Sequence, residues 1–301
     1  MDYRLEPAYP TFRRLVPMLD RLATGFGFTE GPLWMGDHLL FSDIPNNRTV
    51  KYRPLSEGPE ITTFRNPTGN ANGLTLDLQG RILACEHSGR RVSRIDSHGN
   101  VETVTDSFEG KRLNSPNDVV VRADGSIFFT DPPYGLRNHT EGKELPYNGV
   151  FRVDGAGAMH LLVDDFERPN GLAFSPDEKT LYIADTARGH IRAFSVAEEG
   201  SLSNGRIFAE LKAAPGEGGA PDGMKVDQEG NVYCTGPAGV WIFDSNGRFL
   251  GRIVTPEVPA NIGWGDADWR TLYITAKTSL YRIRLSIPGI PVGPAATASA
   301  D

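Results

Sequence analysis

Apolar residues in this chain cluster in short runs that are separated by polar turns. No stretch keeps, over several turns, the spacing of three to four residues that an amphipathic helix requires, so the pattern favours β-strands. One unit recurs along the chain: a polar residue opens an apolar run, a turn follows, and a second apolar run comes next. Six copies of the unit begin at Glu30, Asn72, Asn117, Asn170, Asp222 and Asn261.

The spacing of the copies indicates the architecture. Their starts lie 39 to 53 residues apart, which matches the period of β-propeller blades and is too long for leucine-rich repeats. Turn sequences rich in Gly and Asp, such as Asp77–Gly80 and Ala123–Gly125, separate the first two runs of a copy. One or two further apolar runs complete it. The sequence therefore predicts an all-β protein, a six-bladed β-propeller of four-stranded antiparallel blades.

The two ends of the repeat region predict how the ring closes. The sixth copy has strand-like sequence only to about Leu285, so its blade is incomplete. The segment from Phe12 to Phe28 contains strand-like sequence before the first copy, and we expect it to complete the last blade and remove the exposed edges. Residues 1–287 are thus predicted to form one propeller. Residues 288–301, rich in Pro, Ala and Gly, are predicted to form a flexible tail.

Composition limits the classes of partner that the protein is expected to bind. The net charge of −7, with no long run of either sign, argues against a nucleic-acid or membrane partner and favours a small-molecule substrate. No stretch approaches the length of a transmembrane helix. Met1–Pro10 lacks the apolar core of a secretory signal, so a cytoplasmic location is expected. Cys85 and Cys234 lack the spacing of a zinc site, and we interpret both as buried thiols.

The six polar residues that open the copies form the main candidate site. Because each occupies the same register position at one end of the innermost strand, their side chains should converge on the central axis. Every member offers a carboxylate or amide oxygen, which suits Ca²⁺ or Mg²⁺. The alternative is that Asn-Gly and Asp-Gly are simply common turn pairs, or that an Asn bonds to nearby backbone. Six oxygen side chains at one repeat position favour the metal.

Further polar candidates lie where the second strand of a copy ends, close to the ring. They are Asp43, Glu86 with His87, Asp131 and Asp185. For these carboxylates, capping of backbone N–H groups is as plausible a role as catalysis. No partner visible in the sequence assigns His87 a proton-transfer role, and we count it among residues that could contact the substrate.

Aromatic residues could also line the channel mouth. Residues 131–147 lengthen the third copy and contain Tyr134, so this insertion could cover the channel. Trp34 and Trp264 follow ring positions by a few residues and could line the mouth, although packing in the core is the usual role of such residues.

Three motifs carry a family resemblance: Ser115-Pro-Asn-Asp118, Arg168-Pro-Asn-Gly171 and Pro221-Asp-Gly-Met224. With the other copies they resemble the family that joins SMP-30 (regucalcin), bacterial gluconolactonases and related lactonases, over nearly the whole chain. The resemblance implies a six-bladed propeller with one catalytic metal that hydrolyses a sugar lactone. The metal ligands that it implies, matched motif by motif, are Glu30, Asn117, Asn170 and Asp222, with Asn72 and Asn261 completing the ring.

One position departs from part of that family. Its animal members carry a substrate-contacting arginine where this chain has Ser115, so the chain is more similar to the bacterial gluconolactonases. In the implied mechanism the metal, expected to be Ca²⁺ although Mg²⁺, Mn²⁺ or Zn²⁺ also suits the donors, polarises the lactone carbonyl. The candidates for the general base are Asp222, Asp118 and Asp131. Two alternatives stay open: a phosphotriesterase-like hydrolase and a non-catalytic propeller of the NHL kind.

Overall fold

A computed structural model of the protein describes the backbone of residues 4–7 and 19–298. These residues form a six-bladed β-propeller in which each blade is an antiparallel sheet. Blades are numbered along the chain, and the strands of each are given from the axis outward. Blade 1 comprises Thr29–Trp34, Leu39–Asp43, Arg48–Arg53 and Glu60–Arg65; blade 2, Ala71–Leu76, Ile82–Glu86, Arg91–Ile95 and Val101–Thr105; blade 3, Val119–Val121, Ile127–Asp131, Asn148–Val153 and Met159–Phe166.

The second half of the ring repeats this pattern. Blade 4 comprises Pro169–Phe174, Thr180–Asp185, His190–Val196 and Leu202–Glu210; blade 5, Met224–Val226, Val232–Gly236, Gly239–Phe243 and Phe249–Val254; blade 6, Pro259–Gly265, Thr271–Ala276, Ser279–Arg284 and Asp20–Thr24. Smaller elements are the ribbon Ser107–Phe108 with Lys111–Arg112, the 3-10 turn Arg137–His139 and the helix Pro294–Ala298.

The ring closes as the sequence predicts. Asp20–Thr24 pairs antiparallel with Ser279–Arg284 and so supplies the outermost strand of blade 6. The rest of the predicted closing segment before Leu19 lies outside the described residues. An additional strand that the sequence did not predict, Arg4–Pro7, pairs with Phe249–Val254 at the outer edge of blade 5.

The core lies between neighbouring blades. Apart from Thr180 at the start of that strand in blade 4, the second strands are buried along their whole length, because each is covered by a blade on either side. Aromatic and branched residues fill these interfaces; for example, Trp34 of blade 1 stacks on Tyr273 of blade 6, with ring centroids 5.6 Å apart. Continuous apolar strands of this kind are expected where both faces of a sheet are covered.

A ring of hydrogen bonds joins the blades near the axis. At each of the six interfaces, a backbone amide or a hydroxyl of one blade donates to a backbone carbonyl of its neighbour. The donors and acceptors are Ser42 Oγ and Asn72 O, Gly73 N and Asn117 O, Thr130 Oγ1 and Asn170 O, Gly171 N and Asp222 O, Gly223 N and Ala260 O, and Thr29 Oγ1 of blade 1 and Ser279 O of blade 6. The innermost strands are therefore fixed to one another as well as to their own blades.

Glycine follows the ring residue in four blades because the innermost strands approach so closely. A Cβ atom on Gly171 would lie 2.3 Å from Asp222 O, and one on Gly223 would lie 2.0 Å from Asn261 Oδ1. Real Cβ atoms do not reach such distances, so a larger residue would push the blades apart.

The segment after blade 6 runs across the end of the channel opposite the ring residues. Asp227 and Gly289 form an isolated antiparallel bridge, and the Gly289 amide donates to Trp269 O at 2.8 Å. Pro291 and Gly293 are buried. The described part of the tail beyond residue 287 thus makes specific contacts with the propeller. Among the described residues, no helix has the length and apolar character needed to cross a membrane.

We expect Gly171→Ala to destabilise the protein by about 1–3 kcal/mol, because its methyl group would collide with the backbone of blade 5. Urea denaturation followed by circular dichroism measures the change. Gly155→Ala is the matched control, since a Cβ at Gly155 meets no atom within 4 Å, and it should leave stability within about 0.5 kcal/mol of the parent. Equal stability of the two variants would contradict the close-approach explanation.

Candidate functional site

The six ring residues lie at the same end of the innermost strands, as the repeat predicts. Asn72-Gly73 and Asn170-Gly171 lie inside the strands Ala71–Leu76 and Pro169–Phe174, so they are not turn pairs. The turn interpretation of these pairs is therefore wrong, and the glycine serves the close contact between blades. Asn72, Asn117, Asn170 and Asn261 are all buried.

Three carboxylates approach one another inside this ring. Glu30 and Asp118 are each only 2% exposed, whereas Asp222 keeps partial exposure to the channel. Burial, followed by the charge of Asp118, raises the pKa of Glu30 to about 7. Burial and the charges of Glu30 and Asp118 raise the pKa of Asp222 well above its usual range. Burial likewise raises the pKa of Asp118. The site therefore concentrates negative charge where water cannot screen it.

One cation, Lys225, lies near this cluster. Its charge lowers the pKa of both Glu30 and Asp118, and its ammonium group donates to Met224 O at 2.9 Å. The sequence analysis missed this residue. The repeat could have identified Lys225, because the third position after the ring residue is uncharged in the other five copies. With all three carboxylates ionised, three negative charges face one positive charge, which leaves two in excess.

Oxygen atoms without hydrogen-bond partners lie in the same ring. Asn72 Oδ1 and Asp118 Oδ2 are buried and have no hydrogen-bond partner within the described chain. Buried acceptors without a donor are costly, which is the condition that a bound cation or a substrate hydroxyl relieves. No three His, Cys, Asp or Glu side chains in the described ranges group as a metal site by themselves. A cation here would therefore need the asparagine oxygens, the hard donors that Ca²⁺ accepts.

A polar chain continues from Asp222 towards the channel mouth. Hydrogen bonding from the Asn170 amide partly offsets the rise in the pKa of Asp222. Asn170 Nδ2 donates to Thr186 Oγ1 at 2.9 Å, and that hydroxyl donates to Pro221 O at 2.7 Å. The side chain of Asn170 is thus oriented with its amide nitrogen towards Thr186, so its oxygen is directed elsewhere.

Tyr134 of the insertion reaches this chain, as the sequence suggested. Its hydroxyl is buried and approaches Thr186 and Asn170 without making a full hydrogen bond to either. The guanidinium carbon of Arg168 lies 5.7 Å from the centre of its ring, a cation–π contact. Sequence reasoning did not single out Arg168 or Thr186 as individual residues. A phenol and a guanidinium therefore flank the ring on the side of blade 4.

His87 lies on the other side of the ring. Asn72 Nδ2 and His87 Nε2 are 3.2 Å apart, so the structure supplies a partner for His87 that the sequence did not show. Burial lowers the pKa of His87 to about 4, so the imidazole is neutral at neutral pH. In that state it can accept the amide hydrogen of Asn72, which leaves the unpaired oxygen of Asn72 available.

Ser115 fastens the insertion over the channel mouth. Its hydroxyl donates to Pro132 O at 2.6 Å and accepts from Gly135 N at 2.8 Å. A Cβ on Gly135 would lie 2.6 Å from His87 Cβ, so the loop packs directly against His87. The position where animal relatives carry arginine therefore has a loop-anchoring role in this chain.

The carboxylates at the ends of the second strands cap backbone. Asp43 accepts from Gly27 N at 2.9 Å, Asp131 from Asn114 N at 2.7 Å, and Asp185 from Glu167 N at 2.9 Å. Glu86 instead forms a bidentate ion pair with Arg91. Asp131 therefore supports a loop and does not lie beside Glu30 and Asp222. Burial raises the pKa of Asp131 to about 7.

The two tryptophans lie away from the ring. Trp34 ends its strand four residues after Glu30, about 13 Å along the chain at the usual rise of a strand, and is buried between blades 1 and 6. Trp264 is 4% exposed and packs edge-on against Tyr233 between blades 5 and 6. Both belong to the core, and Trp264 also borders the opposite end of the channel.

Fold and site together define a six-bladed β-propeller with an acidic, oxygen-rich centre in its channel. The family described as SMP-30/Gluconolactonase/LRE-like region matches residues 28–278. The chain belongs to this family, as the motifs around the ring predicted.

Three similar proteins illustrate the relationship. A gluconolactonase of Zymomonas mobilis is 34% identical, covering 88% of this chain and 81% of the relative. A 6-deoxy-6-sulfogluconolactonase of Pseudomonas putida is 29% identical over 82% of each chain. The solved structure of a gluconolactonase from Xanthomonas campestris is 34% identical, covers 95% of both chains and superposes with a TM-score of 0.86.

We expect Gly135→Ala to loosen the loop over the channel. The added methyl group would collide with His87 and Ser115, and a local cost of about 1–3 kcal/mol corresponds to amide exchange roughly 5- to 150-fold faster in residues 132–147. Hydrogen–deuterium exchange with mass spectrometry measures it. Gly155→Ala should leave exchange in this loop unchanged, and identical protection in both variants would show that the loop does not depend on this contact.

Proposed function

We propose that the chain hydrolyses a small sugar lactone at the channel ring, with one divalent cation, Ca²⁺, held there. The observation that supports the metal is a set of three buried carboxylates, which in their ionised forms exceed the one nearby ammonium by two negative charges, in a ring that also holds unpaired oxygens. A dication balances that excess, whereas a neutral ligand does not. The lactone itself is supported by family membership and by the names of the relatives above.

The residues proposed to hold the cation are Glu30, Asn117, Asn170 and Asp222. When bound, such an ion supplies Lewis-acid stabilisation of the negative charge that develops on the lactone carbonyl oxygen. The chain contributes rigidity, because the backbone carbonyls of Asn117, Asn170 and Asp222 accept hydrogen bonds from the preceding blade, and Thr29, next to Glu30, bonds to blade 6. Preorganised ligands of this kind need no rearrangement during the reaction.

Asp222 is the best-placed general base of the three candidates. It is partly exposed, so one of its oxygens could orient and deprotonate an attacking water while the other binds the cation. Asp118 is more deeply buried, and Asp131 accepts a hydrogen bond from the Asn114 amide. The lactone C–O bond then breaks, and its ring oxygen takes up a proton to give the hydroxy acid.

The mouth of the channel suits a polyhydroxylated substrate. Tyr134, Arg168 and His87 present a hydroxyl, a cation and a neutral imidazole around the ring. Sugar hydroxyls can donate to or accept from all of these groups. Cys85 and Cys234 are free and buried, which is compatible with the proposed cytoplasmic location.

Asp222→Asn should lower kcat for glucono-1,5-lactone by at least about 100-fold, because the amide cannot accept the proton of water. Acid release followed with a pH indicator, corrected for spontaneous hydrolysis, measures the rate. The exposed Asp164→Asn carries the same change of charge and should retain parental activity. Turnover by the Asp222 variant near the parental level would rule out this residue as the base.

Ca²⁺ should stabilise the chelator-treated protein, and more so at pH 8 than at pH 5. The raised pKa of Glu30 means that this group favours folding fully below its unfolded pKa of 4.5 and loses that contribution as pH rises through about 7. Ca²⁺ offsets the resulting repulsion. At a free concentration of 100 times Kd we expect a rise in Tm of about 5 °C or more, measured by differential scanning fluorimetry with and without EDTA.

Glu30→Gln provides the contrast for this measurement. It removes one ligand charge, so it should reduce the Ca²⁺-dependent rise in Tm and flatten its pH dependence. A parental protein whose Tm and activity are indifferent to EDTA at both pH values would overturn the metal proposal.

A further inference from the structure

A cavity of about 520 Å³ lies at the end of the channel opposite the ring. Its walls are the far ends of the innermost strands, from Thr75 in blade 2 to Val226 in blade 5, and the first hairpin turns of blades 3 and 4. The tail closes one side through Ile290 and Val292. Its volume is within the range of small-molecule sites, and its lining is mainly apolar.

Two residues that line this apolar space carry hydrogen-bond donors. Trp264 is 4% exposed, yet its indole Nε1 has no hydrogen-bond partner in the part of the chain that the structure describes. Lys225 also lines the cavity, and only one of its three ammonium hydrogens is accounted for, by Met224 O. A buried N–H group without an acceptor is uncommon in folded proteins and indicates a ligand atom that the chain itself does not supply.

The acidic groups at the rim are already engaged. Asp177 accepts from Ser175 Oγ and Lys179 N, and Glu178 accepts from Ala123 N. Both carboxylates lie in the first hairpin turn of blade 4, whereas Lys225 lies on the innermost strand of blade 5, so Lys225 is the charged group at the channel end of the cavity. The combination of an apolar wall, one ammonium and one free N–H donor fits a molecule with an apolar body and a single anionic acceptor group.

We propose that this cavity is a second binding site, separate from the channel ring, for an amphipathic carboxylate such as a medium-chain fatty acid. The carboxylate accepts hydrogen bonds from Lys225 Nζ and Trp264 Nε1, and the alkyl chain lies between the innermost strands and the tail. An alkyl chain of about eight carbons fits well within the measured volume. The site does not depend on lactone hydrolysis, although it shares Lys225 with the ring, where the same charge acts on Glu30 and Asp118.

Octanoate binding to the full-length protein tests this proposal. Isothermal titration calorimetry should give a submillimolar Kd for octanoate, and the neutral octan-1-ol should bind at least about 10-fold more weakly, because charge-assisted hydrogen bonds are the stronger ones. Lys225→Met keeps the apolar stem of the side chain and should weaken octanoate binding by about 10-fold or more. Trp264→Phe removes the indole donor and should weaken octanoate binding by about 2- to 10-fold.

The control variant is Lys212→Met, which makes the same change of charge at a strongly exposed lysine and should bind octanoate like the parent. Equal affinity for octanoate and octan-1-ol, or octanoate affinity that is unchanged in Lys225→Met, would overturn the carboxylate assignment. Because hydrolysis of lactones is assayed separately, a protein without lactonase activity that still binds octanoate would refute only the proposed function.

A second measurement is independent of the variants and of their folding. Crystals of the parental protein soaked with 8-bromooctanoate should show the anomalous signal of bromine inside the cavity, between the tail and the innermost strands. Bromine found only elsewhere on the protein, or no ordered bromine at millimolar concentration, would refute the site.

Discussion

The close approach of the innermost strands is the constraint on which the rest of the molecule depends. Neighbouring strands come near enough for Gly171 N to donate to Asp222 O and for Thr130 Oγ1 to donate to Asn170 O across the blade interface. Glycine is required beside these contacts, because a Cβ would lie at distances that real atoms do not adopt. The same contacts determine where the ring side chains begin, so the packing that closes the propeller also sets the geometry of the site.

This constraint has an electrostatic consequence. Strands held so tightly cannot move apart to admit bulk water, and Glu30 and Asp118 are therefore buried together with Asp222 beside them. Burial raises the pKa of all three, repulsion from neighbouring carboxylates adds to the rise for Glu30 and Asp222, and the ammonium of Lys225 lowers the pKa of Glu30 and Asp118. A propeller needs no such cluster for its stability, since apolar contacts between the blades supply the core. Under the function proposed above, the cluster is a stability cost that the cation would offset.

The repeat predicted the blades and the ring because both follow from register. A polar residue at one position of every copy must lie at one end of every innermost strand, whatever the details of packing. The period could not show whether a carboxylate at the end of a second strand turns to the axis or to its own loop, and Asp43, Asp131 and Asp185 all turn to backbone. Nor could it show that Ser115 fastens a loop, because its partners Pro132 and Gly135 are brought to it by the insertion.

The exceptions within the repeat carry as much information as its regularity. Four copies place glycine directly after the ring residue, but the third has Asp118 and the sixth has Ile262; the third position after the ring residue is uncharged except at Lys225. The two charged deviations lie in different blades, yet the ring brings their charges into range of each other and of Glu30. Where one blade departs from the repeat, a neighbouring blade must accommodate the changed residue. An acidic and a basic residue that each depart from the repeat are therefore expected to lie near each other at the axis. In this propeller, the charged residues that depart from the repeat lie in the interior, and they make one face of the channel different from the other.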